Sequence, residues 1–123
     1  MKQILLDTNA LLAIHELKID LFTEIEKCCN FHYYLAVLQG TIDELEKIKA
    51  EQRGNYKQAA KLALSLLKTK KILVIPEKGK VDDLLVKHSQ QGDLIVTQDR
   101  ELKKKLKKPY LTIRQKKKVV IVS

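Results

Sequence analysis

Short apolar runs that alternate with helical stretches are the feature that most constrains how this chain folds. Residues 4–6, 72–75 and 94–96 are apolar at every position, which is typical of strands buried on both faces of a parallel sheet. Between these runs, apolar residues recur at the spacing of a helix, as in Leu21 and Ile25. We therefore predict an α/β fold, a three-layer α/β/α domain around a central, mainly parallel sheet of four to five strands.

The predicted elements alternate along nearly the whole chain. The predicted strands are residues 2–6, 33–37, 72–75 and 94–96, with 111–114 and 119–122 each a candidate for a final strand. The predicted helices are residues 10–14, 21–29, a pair that starts at 41 and is broken at 53–55, 81–88, and a basic helix at 99–107. In such sheets, ligands bind beyond the carboxyl ends of the strands, near the point where strand order reverses. Acidic residues at those ends are therefore candidates for a functional site.

The length of 123 residues fits a single domain, residues 1–123. No apolar run approaches the roughly 20 residues of a membrane span, and the short run before Asp7 does not resemble an export signal. We expect a soluble, cytoplasmic protein with no membrane partner. Cys28 and Cys29 are the only cysteines and are adjacent, so we predict neither a disulfide framework nor a zinc site and interpret them as buried, reduced thiols.

Positive charge is concentrated in the last quarter of the chain. The formal net charge is +9, and residues 100–118 contain ten Lys or Arg side chains against one acid, Glu101. This pattern favours a polyanion partner, although a lysine-rich helix is also consistent with an ordinary solvated surface. The candidate contacts to such a partner are Arg100, Lys103, Lys104, Lys107, Arg114 and Lys116, and charge alone does not distinguish nucleic acid from an anionic membrane.

Several acidic residues occupy positions that folding could bring to one edge of the sheet. Asp7 directly follows the first predicted strand, and Asp99 lies three residues beyond the fourth. Glu44 and the pair Asp82 and Asp83 lie in the first turns of two predicted helices. Each acid alone is explained as a turn residue, a helix cap or a partner of the helix dipole. Gathered together, however, the carboxylates would repel one another and need a compensating cation.

The kind of cation follows from the ligand atoms. Oxygen ligands select a hard ion, so Mg²⁺ or Mn²⁺ is the predicted cofactor, and no His/Cys set suggests zinc. Such an ion can neutralise a phosphodiester oxygen, lower the pKa of a water and align that water for attack. The products retain a 5′-phosphate if the 3′-oxygen is the leaving group.

Four short motifs make the sequence resemble the PIN domain, a family of metal-dependent nucleases. They are Leu-Asp-Thr-Asn ending at Asn9, Thr-Ile-Asp-Glu-Leu around Glu44, Val-Asp-Asp-Leu-Leu starting at Val81, and Val-Thr-Gln-Asp-Arg-Glu-Leu around Asp99. No single motif is decisive, but four in the family's order over nearly the whole chain are a strong signal. The resemblance implies an endoribonuclease that hydrolyses RNA phosphodiester bonds.

Site residues follow from the same resemblance. The metal ligands that it implies are Asp7, Glu44, Asp82 and Asp99. Asp82 and Asp83 compete for one ligand position, and we favour Asp82. Asn9 and Thr97 would help to position the substrate or the attacking water.

Within the family, two features are most similar to the PIN endonucleases that process small-subunit ribosomal RNA and to their archaeal counterparts. They are the doubled acid at 82–83 and the stretch Thr-x-Asp-x-x-Leu-Lys-x-x-x-Lys at 97–107. Toxin nucleases of the VapC type share the acids and a similar length and are the second interpretation. The partners implied are RNA, either structured or single-stranded rRNA or tRNA, and a second copy of the chain, an antitoxin or a ribosome-assembly factor. Tyr56 and Tyr110 are candidates for stacking on a base, although core or rim positions are commoner for tyrosine.

A non-catalytic RNA-binding PIN scaffold is the main alternative from another class. Such scaffolds lose acids, whereas the full set is present here. A phosphoacceptor receiver domain fits poorly, because an acceptor Asp is expected where Pro76 and Glu77 stand. No nucleophile-elbow pattern accompanies His15, His32 or His88, so a Ser-His-Asp hydrolase is not favoured and the histidines are interpreted as structural.

Overall fold

Strands and helices alternate throughout the computed structural model, which describes residues 1–123. The strands are β1 (Lys2–Leu6), β2 (Tyr33–Leu38), β3 (Leu73–Ile75), β4 (Leu94–Val96), β5 (Tyr110–Arg114) and β6 (Lys118–Val122). The helices are α1 (Thr8–Glu16), α2 (Leu21–Cys28), α3 (Gln39–Glu51), α4 (Gly54–Thr69), α5 (Val81–Gln90) and α6 (Arg100–Lys105). None of these helices combines the length and the apolar character that crossing a membrane requires.

One sheet contains all the strands, in the order β3-β2-β1-β4-β5-β6. β1 to β5 are parallel, and β6 pairs with β5 in the antiparallel direction. The chain first builds the sheet outward from β1 through β2 and β3, and then returns to add β4 on the other side of β1. Strand order therefore reverses between β1 and β4, which is where a parallel sheet opens a crevice at its carboxyl edge.

The predicted three-layer α/β fold is confirmed, and the sheet is wider than predicted because both candidate final segments are strands. The 6-stranded sheet gains its last member through a tight reversal in which Gln115 and Lys116 have φ of 56° and 58°. The reversal pairs Arg114 with Lys118 at the end of the hairpin. Because β5 runs parallel to β4, this basic turn projects beyond the carboxyl edge of the sheet.

Alternating side chains of the central strands separate two cores. Ile4 and Leu6 of β1 point to a core that is shared with α1, α2, α3 and α4. Leu5 points to the opposite face, where it packs with Leu85 of α5 and Leu102 of α6. Coverage of both faces explains why the central strands are apolar at every position.

Gly40 allows α3 and α5 to approach closely at the carboxyl edge. A Cβ at this position would lie 2.7 Å from Cγ2 of Val81, the first residue of α5. The sequence predicted that α3 starts at Thr41, whereas it starts at Gln39, so Glu44 lies in the second turn of the helix rather than the first. The contact brings the first turn of α5 against the helix that carries Glu44.

The adjacent cysteines lie at the end of α2 as free thiols, and both are half-buried rather than fully buried as predicted. Their Sγ atoms are 3.7 Å apart. Burial, together with the neighbouring Cys28, raises the pKa of the Cys29 thiol to about 12. Protonated thiols at this position agree with the reduced state inferred from the sequence.

A buried histidine between two carboxylates holds the carboxyl-terminal half of α5. His88 Nδ1 lies 2.8 Å from Asp93 Oδ2, and His88 Nε2 is hydrogen-bonded to Glu77. Lys87 Nζ lies 3.6 Å from the same Glu77 carboxylate. Burial on its own would lower the pKa of His88, but the two carboxylates outweigh it and raise that pKa. His88 in turn lowers the pKa of Glu77, so the protonated imidazole ties α5 to the segments before and after it.

Deprotonation of His88 should make the protein less stable at alkaline pH. A histidine whose pKa is raised by folding stabilises the folded state fully below its unfolded pKa, ordinarily 6.5, and this contribution is lost as the pH rises through the folded value. Urea unfolding at several pH values should therefore show a free energy of unfolding that falls above neutral pH. The fall should be smaller in His88→Gln.

A matched pair of variants measures how much the contact between His88 and Glu77 contributes to stability. At about pH 6, Glu77→Gln should cost about 1.5–3 kcal/mol, the usual value of a hydrogen bond to a charged group. Glu46→Gln, which breaks an exposed pair with Lys49 on α3, should cost less than about 1 kcal/mol. Equal pH profiles for the wild type and His88→Gln would contradict the assignment.

Candidate active site

Four carboxylates line one cavity of about 470 Å³ at the carboxyl edge of the sheet. Asp7 comes from the end of β1, Glu44 from α3, Asp82 from the first turn of α5, and Asp99 from the segment between β4 and α6. The structure thus brings together acids that are far apart in the sequence, at the crevice between β1 and β4. Asp83 is exposed and does not line this cavity.

Asp7 is held in place by hydrogen bonds on both carboxylate oxygens. Its Oδ1 accepts from the backbone N–H of Thr8 at 2.8 Å, which caps α1. Its Oδ2 accepts from Thr97 Oγ1 at 2.7 Å and from Asn9 Nδ2 at 3.2 Å. The side chain is 4% exposed, so this carboxylate is fixed at the floor of the cavity.

The electrostatic environment of the cavity is unfavourable to several negative charges. Burial raises the pKa of Asp7, and the nearby Asp82 and Glu44 raise it further, against the opposing hydrogen bonds from Thr97 and Thr8. None of the four carboxylates forms an ion pair with Lys, Arg or His. A bound cation would therefore relieve repulsion that the protein itself leaves uncompensated.

The donor atoms around the cavity suit a hard divalent cation. Asp99 uses Oδ1 to accept from the N–H groups of Glu101 and Leu102, and Glu44 and Asp82 accept no hydrogen bonds. No three acidic side chains converge on one point at coordinating distance. Glu44 and Asp82 are exposed at the cavity wall, and no hydrogen bond fixes either carboxylate. In addition, the Thr8 hydroxyl is buried at this cavity without a hydrogen-bond partner.

Thr97 and Asn9 connect the two strand ends that carry Asp7 and Asp99. Besides donating to Asp7, the Thr97 hydroxyl accepts from the backbone N–H of Asp99 at 3.1 Å. Asn9 Oδ1 accepts from the N–H of Gln98 at 2.8 Å. Asn9 lines the cavity, whereas Thr97 is fully buried behind it. Thr97 therefore acts on the carboxylates and does not face the cavity.

Gln98 is a site residue that the sequence analysis missed. Its Oε1 accepts from the Ile113 N–H at 2.7 Å and from Thr112 Oγ1 at 2.8 Å, both on β5. Its backbone N–H meanwhile bonds Asn9. Gln98 thereby fixes the segment between β4 and α6, which carries Thr97 and Asp99. Its place between Thr97 and Asp99 in the fourth motif was the only available signal, and the pattern at 97–107 leaves this position open.

Several predicted RNA contacts lie beside the acidic cavity. Arg100 and Lys103 are on α6, which begins immediately after Asp99. Partial burial lowers the pKa of Lys103, and the positive charges of Arg100 and Arg114 lower it further. Arg114 ends β5, and Lys116 lies in the turn beyond it. These four cations are therefore at the same edge of the sheet as the carboxylates.

Two other predicted contacts are placed differently. Lys107 lines a separate hollow with Lys2 and Lys108 at the amino ends of β1 and β4, so the structure does not bring it to the acidic cavity. Lys104 is exposed and its Nζ lies 3.3 Å from Glu101 Oε1 on the same helix. Lys107 is close to Asp99 in sequence but lies at the opposite edge of the sheet, because the chain has already returned there.

Other cavities lack this combination of groups. A larger groove of about 740 Å³ lies between α3, α4 and β3, where four lysines and one acid, Glu46, surround an apolar floor.

Of the two tyrosines considered for base stacking, Tyr56 lines the acidic cavity. Tyr110 is half-buried at the amino end of β5 and packs on the core beneath α5 and α6.

Comparison with known proteins agrees with this arrangement. The sequence matches the family model described as a PIN like domain over residues 4–116. The chain belongs to the PIN-domain family. The family identified from four short motifs is therefore confirmed, and the matched range includes all four carboxylates of the cavity.

Two curated relatives of this PIN domain are named ribonucleases. Ribonuclease VapC4 of Methanocaldococcus jannaschii is 32% identical over an alignment of 124 positions, which covers 95% of this chain and 94% of that protein. Ribonuclease VapC9 of Archaeoglobus fulgidus is 31% identical over 102 residues, which cover 82% and 73% respectively. The similarity to the first relative extends over nearly the whole of both chains.

Solved structures support the fold. The PIN domain endonuclease Utp24 superposes with a TM-score of 0.77 at 24% identity, over 97% of this chain and 90% of that chain. The VapBC-1 structure from nontypeable Haemophilus influenzae gives a TM-score of 0.53 at 15% identity, over 84% and 91%. Both similarities confirm the PIN-like α/β fold.

Proposed function

We propose that this PIN domain is a metal-dependent endoribonuclease. The observation that carries the proposal is the single cavity that Asp7, Glu44, Asp82 and Asp99 line together, with none of them in an ion pair. The full-length similarity to a protein named as a ribonuclease supports RNA as the substrate. Asp82 rather than Asp83 is the ligand in this proposal, since only Asp82 lines the cavity.

The reaction is hydrolysis of a phosphodiester. A water oxygen forms a bond to phosphorus, the bond from phosphorus to the 3′-oxygen breaks, and a proton from the water ends on that 3′-oxygen. Mg²⁺ or Mn²⁺ bound by the four carboxylates would supply charge neutralisation and activation of the attacking water. Thr97 and Thr8 keep Asp7 fixed by hydrogen bonds, and Asn9 positions the substrate from the wall of the cavity.

In this proposal, the cations beside the cavity bind the RNA backbone. Arg100, Lys103, Arg114 and Lys116 extend from α6 to the hairpin turn, next to Asp99. Contacts of this kind to phosphates position a nucleic acid without reading its sequence. Lys104 lies on the same helix but is paired with Glu101, and Lys107 is left outside this surface.

A pair of charge variants tests this surface. Replacing Lys103 and Arg114 together by Ala should weaken RNA binding and reduce the slope of log affinity against log salt by up to about 1.4, because each phosphate contact to a single strand contributes about 0.7. Replacing Lys107 and Lys108 removes the same charge at the opposite edge and should leave the slope nearly unchanged. Equal slopes for the two double variants would place the RNA elsewhere.

Metal dependence distinguishes an enzyme from an RNA-binding scaffold. Cleavage of a labelled RNA should require Mg²⁺ or Mn²⁺, stop on chelation and resume when the metal is restored. The products should carry 5′-phosphates. Asp7→Asn, purified identically, controls for contaminating nucleases. Metal-independent binding without cleavage would instead establish a scaffold.

Different observations favour two cellular roles. The doubled acid at 82–83 and the pattern at 97–107 support ribosomal RNA maturation, whereas identity to VapC-named ribonucleases supports a toxin paired with an antitoxin. Growth arrest on expression of the wild type, but not of Asp7→Asn, would support the toxin. Accumulation of a small-subunit rRNA precursor on loss of the gene would support maturation.

A further inference from the structure

An exposed aromatic ring stands at the wall of the acidic cavity. Tyr56 is 43% exposed, and it lines the same cavity as Asp7, Glu44 and Asp82. Its hydroxyl makes no hydrogen bond, and no other aromatic ring packs against it, since the aromatic pair of this chain is Phe31 with Tyr33. No hydrogen bond and no aromatic contact within the fold therefore accounts for the position of this ring.

The backbone places Tyr56 there by ending α3 and restarting the chain as α4 almost at once. α3 ends at Glu51, and Gly54 starts α4 with a φ of +63°, a conformation that side chains with a Cβ rarely adopt. Gln52, in the break between the helices, is exposed and lines the cavity beside Tyr56. Its backbone N–H donates to the Ile48 carbonyl, but its side-chain amide makes no hydrogen bond with the protein. An aromatic face and an uncommitted amide therefore share one wall.

We propose that Tyr56 is the stacking platform for an unpaired nucleobase next to the scissile phosphodiester, with Gln52 hydrogen-bonding the edge of that base. The inference rests on the proposed function, because it assumes RNA in the cavity. The carboxylates can serve only the phosphate group and its cation, and the lysines and arginines serve neighbouring phosphates. Tyr56 and Gln52 supply the aromatic and amide groups that recognise a base.

This platform selects for single-stranded RNA. A base in a duplex is already stacked between its neighbours, so it presents no free face to a tyrosine ring. An unpaired base gains stacking energy on the ring whatever its identity. The enzyme should therefore prefer loops, bulges and single-stranded segments over duplex RNA.

Binding can be measured apart from catalysis. A short single-stranded RNA containing one 2-aminopurine is titrated with Asp7→Asn protein in the presence of Mg²⁺, so that cleavage does not interfere. Stacking should quench the fluorescence. Adding Tyr56→Ala should abolish the quench and weaken binding about 10-fold, within the range known for single base–aromatic contacts. Tyr56→Phe should retain both.

A matched control comes from the other end of the sheet. Tyr34 is 40% exposed and lies in the amino-terminal half of β2, so Tyr34→Ala removes an equally exposed ring far from the cavity. In the otherwise unmodified enzyme, Tyr56→Ala should lower kcat/KM for single-stranded RNA about 10-fold, and Tyr34→Ala should not. A Tyr56→Ala protein that binds and cleaves like Tyr34→Ala would overturn the inference.

The two proposals fail in different ways. If the wild type cleaves RNA with metal but no variant at Tyr56 changes quenching or kcat/KM, the stacking platform is wrong and the ribonuclease stands. If quenching depends on Tyr56 but no metal supports cleavage, the stacking platform stands and the ribonuclease is wrong.

Discussion

Asp7→Asn is expected to reduce metal-dependent cleavage by more than about 100-fold, since even residues behind a metal ligand usually matter 10- to 100-fold. Asp7 is the one carboxylate of the cavity whose two oxygens are both oriented by hydrogen bonds. Asparagine at position 7 offers the metal one side-chain oxygen instead of two, and it carries no negative charge. Cleavage rates at saturating Mg²⁺ and Mn²⁺ measure the loss.

The same substitution should leave the fold intact. Removing the buried charge of Asp7, which lies near Glu44 and Asp82, should stabilise the folded state. The new amide nitrogen, however, faces one of the groups that now donate a hydrogen bond to Asp7. This unfavourable contact should destabilise the folded state by a similar amount. The free energy of unfolding should therefore change by no more than about 1 kcal/mol.

Asp43→Asn is the matched control for this experiment. Asp43 is exposed on α3, next to Glu44 in sequence, and accepts a hydrogen bond from Gln39 at 2.9 Å. The identical chemical change there should leave cleavage at the wild-type level. An Asp7→Asn enzyme with wild-type activity would remove the acidic cavity as the catalytic centre.

The placement of the acids could be predicted because it depends on local patterns and on one rule of parallel sheets. The apolar run before Asp7 and the one before Asp99 each identify a strand, and carboxyl ends of parallel strands meet at one edge. No knowledge of strand order is needed for that step. The position of Asp82 in the cavity and of Asp83 outside it, in contrast, depends on how α5 begins against α3, where Gly40 leaves room for Val81.

Features that depend on side-chain reach or strand order could not be predicted. Gln98 contacts a strand 14 and 15 residues further along the chain, and nothing in the local pattern indicates that β5 lies beside β4. Lys107 looked equivalent to Lys103 in the sequence. It lies at the opposite edge because α6 ends at Lys105 after running back across the sheet.

Thr97→Val should lower cleavage about 10- to 100-fold, the usual effect of losing a group that orients a metal ligand. Valine keeps the shape of the fully buried threonine but removes its hydroxyl. Asp7 then loses a 2.7 Å hydrogen bond, and the Asp99 N–H loses its acceptor. The free energy of unfolding should also fall by about 1–3 kcal/mol, because polar groups are left unpaired.

A purely structural role for Thr97 would change stability without changing the metal response, so the deciding measurement is the Mg²⁺ concentration that gives half-maximal cleavage. This concentration should rise in Thr97→Val and return toward the wild-type value in Thr97→Ser, which restores the hydroxyl.

Thr41→Val is the control, because Thr41 is equally buried on α3 and its hydroxyl has no hydrogen-bond partner to lose. It should be neutral or stabilising, with an unchanged metal response. If Thr97→Val loses stability but keeps the wild-type Mg²⁺ dependence, the hydroxyl supports the fold alone and the carboxylates are oriented without it.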